Sequence, residues 1–135
     1  MPVKIILDSN FLMIPFQFHI DIFQELEYLL QKKVDFIVPS SVKQELTEIS
    51  SRGGEGAPEA SLALQLASRC RAVEVVLAPG ESVDDAIVKA SQKLGALVAT
   101  TDIALKKRLR DINIPVVYLR EKSKLEVEGL EPAYF

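Results

Sequence analysis

Val3-Lys4-Ile5-Ile6-Leu7 is a continuous β-rich apolar run broken only by Lys4, and it stops at Asp8-Ser9-Asn10. Such a run reads as a strand buried on both faces, as in a parallel sheet covered by helices. In an open parallel sheet, ligands sit beyond the carboxyl ends of the strands, so the position of Asp8 is site-like. Asp and Asn are also ordinary turn and N-cap residues, and one acid does not decide between the two readings.

The rest of the chain repeats the pattern. Apolar strands are expected at Val34–Val38, Val73–Leu77, Ala96–Thr100 and Val116–Leu119. Helical spacing fills the gaps. Phe11–Phe18, interrupted by Pro15, is a short helix or turn. A helix capped near Asp21 presents Ile22, Leu26, Leu29 and Leu30. Another begins at Ser41, where Ser41 with Gln44 fits a capping box and Val42, Leu46 and Ile49 face inward. Ser50–Pro58 reads as a loop, followed by a helix near 59–70 with Leu62, Leu66 and Cys70 at four-residue intervals. Helices near 83–94 and 103–112 complete the alternation, the last burying Leu105, Leu109 and Ile112. Strands alternating with helices predict a three-layer α/β/α domain with a mainly parallel sheet of about five strands. The 135 residues form a single domain, in which about 122–135 is a tail or a small hairpin through Leu125-Glu126-Val127-Glu128.

Composition removes several kinds of chemistry. Cys70 is the only cysteine and His19 the only histidine, which excludes an internal disulfide and a Cys₄ zinc site. A Ser-His triad has only His19 to use, and His19 lies in no motif. No GxGxxG or GxxxxGK[ST] phosphate loop occurs. A receiver-like phosphoacceptor needs a lysine after a late strand, where this chain has Arg120. No apolar run reaches the roughly 18 residues of a membrane span, and the N-terminus lacks a signal-peptide layout, so a cytoplasmic protein is expected. Any metal must be held mainly by oxygen, which favours Mg²⁺ or Mn²⁺.

Three further acids take positions equivalent to Asp8. Glu45 lies one turn into the helix after the second strand, Asp84 opens the helix after the third, and Asp102 follows the fourth in Ala99-Thr100-Thr101-Asp102. In a parallel sheet all four share one rim. Their mutual repulsion in a partly dry cleft is tolerable when a divalent cation lies among them. Asp84 and Asp85 divide the work: Ser82-Val83-Asp84-Asp85 is a capping box that uses Asp85, leaving Asp84 for the rim. Net charge is −3, but residues 106–124 carry net +5 and the remainder −8. Lys106, Lys107 and Arg110 share one side of the last helix beside Asp102. They form either a solvated face or a track for a phosphate backbone.

Leu7-Asp8-Ser9-Asn10, Ser40 to Leu46, Asp84-Asp85-Ala86-Ile87 and Val98 to Asp102, in this order, resemble the PIN-domain family of metal-dependent ribonucleases. The resemblance covers about residues 3–120, and Asp102 to Leu109 looks closer to rRNA-processing members than to the smallest toxin-type ones. It implies that Asp8, Glu45, Asp84 and Asp102 hold one or two Mg²⁺ or Mn²⁺ ions, with Asn10 and Thr100 supporting them. The implied reaction is endonucleolytic hydrolysis of RNA, in rRNA processing or as a toxin-type (VapC-like) ribonuclease. Its alternative is a PIN fold that docks RNA or protein without cutting. The implied partners are RNA and a protein such as an antitoxin or a ribosome-assembly factor. A homodimer is also implied, for which Phe11, Phe16 and Phe18 supply either an apolar surface or core.

Overall fold

The computed structural model describes residues 2–131 and Tyr134. The first strand, β1 (Val3–Leu7), is followed by two short helices, α1 (Ser9–Leu12) and α2 (Ile14–Phe18), and by α3 (Ile22–Leu30). Next come β2 (Val34–Pro39), α4 (Ser40–Arg52), α5 (Ala57–Ala67) and β3 (Arg71–Val73). The second half runs α6 (Val83–Leu94), β4 (Leu97–Ala99), α7 (Ile103–Asp111), β5 (Val116–Arg120) and β6 (Lys124–Glu128). The architecture is three-layer α/β/α, as expected, around a sheet of order β3-β2-β1-β4-β5-β6. The first five strands are parallel, and β6 pairs antiparallel with β5 through Tyr118 opposite Glu126. Among the described residues, no helix is long and apolar enough to cross a membrane.

The strand order explains where a site belongs. From β1 the chain moves outward to β2 and β3, then returns to the other side of β1 for β4 and β5. The reversal lies between β1 and β4, and the crevice outside such a switch point is where open α/β sheets bind ligands. Leu7 pairs with Ala99 there, so Asp8 and Thr100 are the next residues on neighbouring strands. Ile5, Ile6, Leu7, Leu97 and Val98 are fully buried, as central parallel strands require.

Local signals account for several helix ends. Asp21 caps α3 by accepting from Phe23 and Gln24 N–H. Both arms of the Ser82/Asp85 capping box form at the start of α6. Gly95 ends that helix at φ +65°, a left-handed conformation that glycine adopts at little cost.

Other expectations are corrected. To the five expected strands the sheet adds a sixth, the alternating segment expected as a small hairpin, which pairs with β5 as β6. The third strand is Arg71–Val73 and not Val73–Leu77: Val75 N–H donates to Ser40 Oγ at 2.9 Å, drawing the chain out of the sheet and leaving Val76 90% exposed. Pro39 is the N-cap of α4, so the Ser41–Gln44 box does not form. Of the Leu62/Leu66/Cys70 stripe, Leu66 and Cys70 are half-buried against the core and only Leu62 turns outward. Ala60, Ala63 and Ala67 are fully buried and Leu62 is 42% exposed, since small side chains let α5 pack closely on its neighbours. Cys70 lies beyond the end of α5 and is half-buried against the core. The loop after α4 shrinks to residues 53–56, and Ile112 is exposed. Phe11 is fully buried, and Phe16 and Phe18 are half-buried against the core.

Candidate active site

Asp8 is the centre of the arrangement. It is 4% exposed, and its carboxylate accepts from Ser9 N–H at 2.8 Å, Thr100 Oγ1 at 2.7 Å and Asn10 Nδ2 at 3.3 Å. Burial pushes the Asp8 carboxyl up from its ordinary 3.8 to about 6. The hydrogen bonds from Thr100 and Ser9 oppose that rise, while the negative charges of Glu45 and Asp84 add to it.

Thr100 couples the two central strand ends. It is fully buried, and its hydroxyl donates to Asp8 while accepting from Asp102 N–H at 3.1 Å. Asn10 Oδ1 accepts from Thr101 N–H at 3.0 Å, which fixes the amide so that its nitrogen faces Asp8. Asn10 and Thr100 therefore hold Asp8 in position. Asp102 caps α7 through Oδ1, which accepts from Leu105 N–H at 3.1 Å.

The remaining acids reach the same crevice from two helices. Glu45, on α4, accepts a hydrogen bond from Ser9 Oγ and so is tied to the residue after Asp8. Burial raises the Asp84 carboxyl above its usual range, and the charges of Asp102 and Glu45 raise it further. Asp85 is held below its usual range by the Ser82 backbone N–H and by Arg108, whose Nη1 is 2.7 Å from Asp85 Oδ1. The division between a rim acid and a capping acid thus has a counterpart in opposite shifts. Charge coupling links Asp8, Glu45, Asp84 and Asp102 into one set. Among the described residues, however, no three His, Cys, Asp or Glu side chains stand in metal-ligating geometry. The donor set itself suits a hard divalent cation: it is all oxygen, and two of its members are forced toward neutrality by burial and like charge.

The basic face is less open than expected. Lys106 Nζ lies 3.6 Å from the Tyr118 ring centroid and 3.7 Å from Glu128, and Arg110 Nε is 3.9 Å from Glu128. Lys107 is exposed, with no ion pair among the described residues. Two residues that sequence reasoning passed over belong to the rim. Ser9 carried one signal, its place between Asp8 and Asn10. Arg108 carried only its charge, because its partner comes from another helix.

The fold and rim define a doubly wound α/β/α protein with charge-coupled acidic side chains at its switch point. The chain belongs to the PIN like domain family, whose model matches residues 5–122. It is 33% identical over 129 residues to Ribonuclease VapC4 of Methanocaldococcus jannaschii, covering 94% of this chain and 98% of that protein. It is likewise 33% identical over 128 residues to Ribonuclease VapC9 of Archaeoglobus fulgidus, covering 93% and 90%. The solved structure of the PIN domain endonuclease Utp24 superposes with a TM-score of 0.79 at 31% identity, covering 96% of this chain and 93% of that one.

Proposed function

We propose that this chain is a divalent-metal-dependent endoribonuclease, in RNA processing or as a toxin-type enzyme, with Asp8, Glu45, Asp84 and Asp102 as its metal-holding residues. The observation that carries the reading is the buried Asp8 carboxylate, hydrogen-bonded across the β1–β4 switch point and coupled by charge to Glu45 and Asp84. Its similarity to two ribonucleases and an endonuclease over more than nine-tenths of its length supports the same conclusion.

Mg²⁺ or Mn²⁺ held by these carboxylates supplies charge stabilisation at phosphoryl oxygens and lowers the pKa of water. The protein's own part is positioning. Thr100 and the Ser9 N–H favour the ionised form of Asp8 against its burial, Asn10 aligns it, and Ser9 Oγ orients Glu45. Lys106, Lys107 and Arg110 lie along α7 beyond Asp102, where cations attract a phosphate backbone. The substrate is RNA. A protein partner, an antitoxin or an assembly factor, is expected to act by covering or presenting the rim.

Cleavage of a labelled, partly structured RNA with Mn²⁺ tests this, alongside an EDTA control and Asp8→Asn protein. Cutting is expected in the first sample and absent from both controls. Cutting that persists in Asp8→Asn protein, or metal binding without any cutting, would overturn the reading and favour a non-cleaving module.

A further inference from the structure

Between α4 and the segment leading from β3 into α6 lies a recess of about 200 Å³, lined by Ser41, Gln44, Glu45, Glu48, Leu77 and Val83. It is continuous with the acidic rim, because Glu45 belongs to both and Val83 immediately precedes Asp84. Ser41 is 4% exposed, and its Oγ is buried with no hydrogen-bond partner among the described residues. Ser41 thus stands among the walls of the recess as a buried polar residue beside the apolar Leu77 and Val83.

The chemistry of the walls narrows the ligand. The recess is smaller than the roughly 300–1,000 Å³ of drug-sized pockets, which suits a single planar ring. Glu45 and Glu48 repel phosphate, and no cation lines the recess, so it receives the base of a nucleotide and not its backbone. Carboxylates only accept hydrogen bonds, so they select rings bearing N–H donors. Adenine, cytosine and guanine present an exocyclic amine, whereas the ring N–H on the pairing edge of uracil is flanked by two carbonyl oxygens that a carboxylate repels. Leu77 and Val83 offer apolar contact to the ring faces, while the Gln44 amide both donates and accepts.

We propose that this recess is a nucleobase subsite, which receives an amino-bearing base adjoining the phosphate engaged at the rim and so disfavours uracil there. The proposal rests on the endoribonuclease reading. It requires unpaired RNA, whose bases can be splayed out and read on their edges.

Two measurements test it separately from that reading. The first follows the Leu77 and Val83 methyl NMR signals of metal-free protein as adenosine, cytidine, guanosine or uridine is added. These signals should move with the three amino-bearing nucleosides and at about tenfold higher concentration with uridine. Glu48→Gln should erase the difference, and Gln44→Ala should weaken binding of all four. The second compares cleavage of RNAs differing in the one nucleotide next to the cut. Uridine there should slow wild-type protein about tenfold, and Glu48→Gln and Leu77→Ala should flatten the preference while still cutting. Gln44, Glu48 and Leu77 are exposed, so their variants should fold normally. Unmoved methyl signals, or a uridine preference equal to the others in both experiments, would overturn the subsite. If nucleosides bind as described while no RNA is cut, the nuclease reading fails and the nucleobase site stands.

Discussion

Thr100 Oγ1 lies 2.7 Å from Asp8 Oδ2, joining the ends of β1 and β4 through two buried side chains. This bond is the main force opposing the rise of the Asp8 pKa. Thr100→Val keeps the shape and removes the donor, so the carboxyl should climb above about 6. In metal-free protein the Asp8 titration should move up with it, and because the proton competes with the cation, the acidic limb of Mn²⁺ binding and of cleavage at subsaturating Mn²⁺ should move up too. Thr100→Ser should restore both. A profile with an unmoved acidic limb would show that Asp8 is not the titrating group.

The same burial makes Asp8 a liability for the fold. Its native pKa of about 6 exceeds the ordinary 3.8, so the folded state binds the extra proton across that interval. Its contribution to stability is therefore fully present below about pH 4 and is lost as the pH rises through about 6. At neutral pH the ionised carboxylate costs up to about 3 kcal/mol relative to a neutral one. In EDTA at pH 7, Asp8→Asn should resist urea better than wild type, and the advantage should vanish near pH 4. Mn²⁺ should raise the wild-type midpoint at pH 7 and leave that of Asp8→Asn nearly unchanged. An Asn variant less stable than wild type at pH 7 would refute this account.

Features written in neighbouring residues were legible from the sequence, and features written across the fold were not. The apolar run ending at Asp8 announced a central strand and its rim position. Ser82 and Asp85 announced their own cap, because a capping box closes within four residues. In α5, by contrast, Leu62 and Leu66 have as good a helical period as Ala60, Ala63 and Ala67. Only the closeness of the neighbouring helix selects the alanines. Ser9 to Glu45 and Arg108 to Asp85 are contacts between separate elements, and no spacing rule reports them. Pro39 took the place at the start of α4 that Ser41 was expected to hold, which left the Ser41 hydroxyl buried.

Asp84 and Asp85 are adjacent, yet their substitutions should separate cleanly. Asp84→Asn removes a carboxylate crowded by Asp102 and Glu45, so cleavage should disappear with no loss of thermal stability. Asp85→Asn weakens the cap and the Arg108 ion pair, so the melting temperature should drop by a few degrees while cleavage survives. Paired melting curves and single-turnover rates decide the matter. Loss of cleavage in Asp85→Asn with activity retained in Asp84→Asn would exchange the two assignments.

The α7 face should bind RNA according to which cations are already engaged. Lys107 is exposed and unpaired among the described residues, so each phosphate it meets is a net gain. Lys107→Ala should lower the slope of log affinity against log salt by about 1, evenly across RNA sequences. Glu128 sits 3.7 Å from Lys106 and 3.9 Å from Arg110, and RNA must compete with it for both. Removing that competitor in Glu128→Gln should tighten binding severalfold at low salt and steepen the slope. Lys106→Ala should cost less than Lys107→Ala, because part of the Lys106 charge is spent on Glu128 and the Tyr118 ring. Filter binding of one RNA across a salt series measures all three variants. Equal slopes in wild type, Lys107→Ala and Glu128→Gln would remove α7 from the RNA path and leave its charge as a solvated helix face.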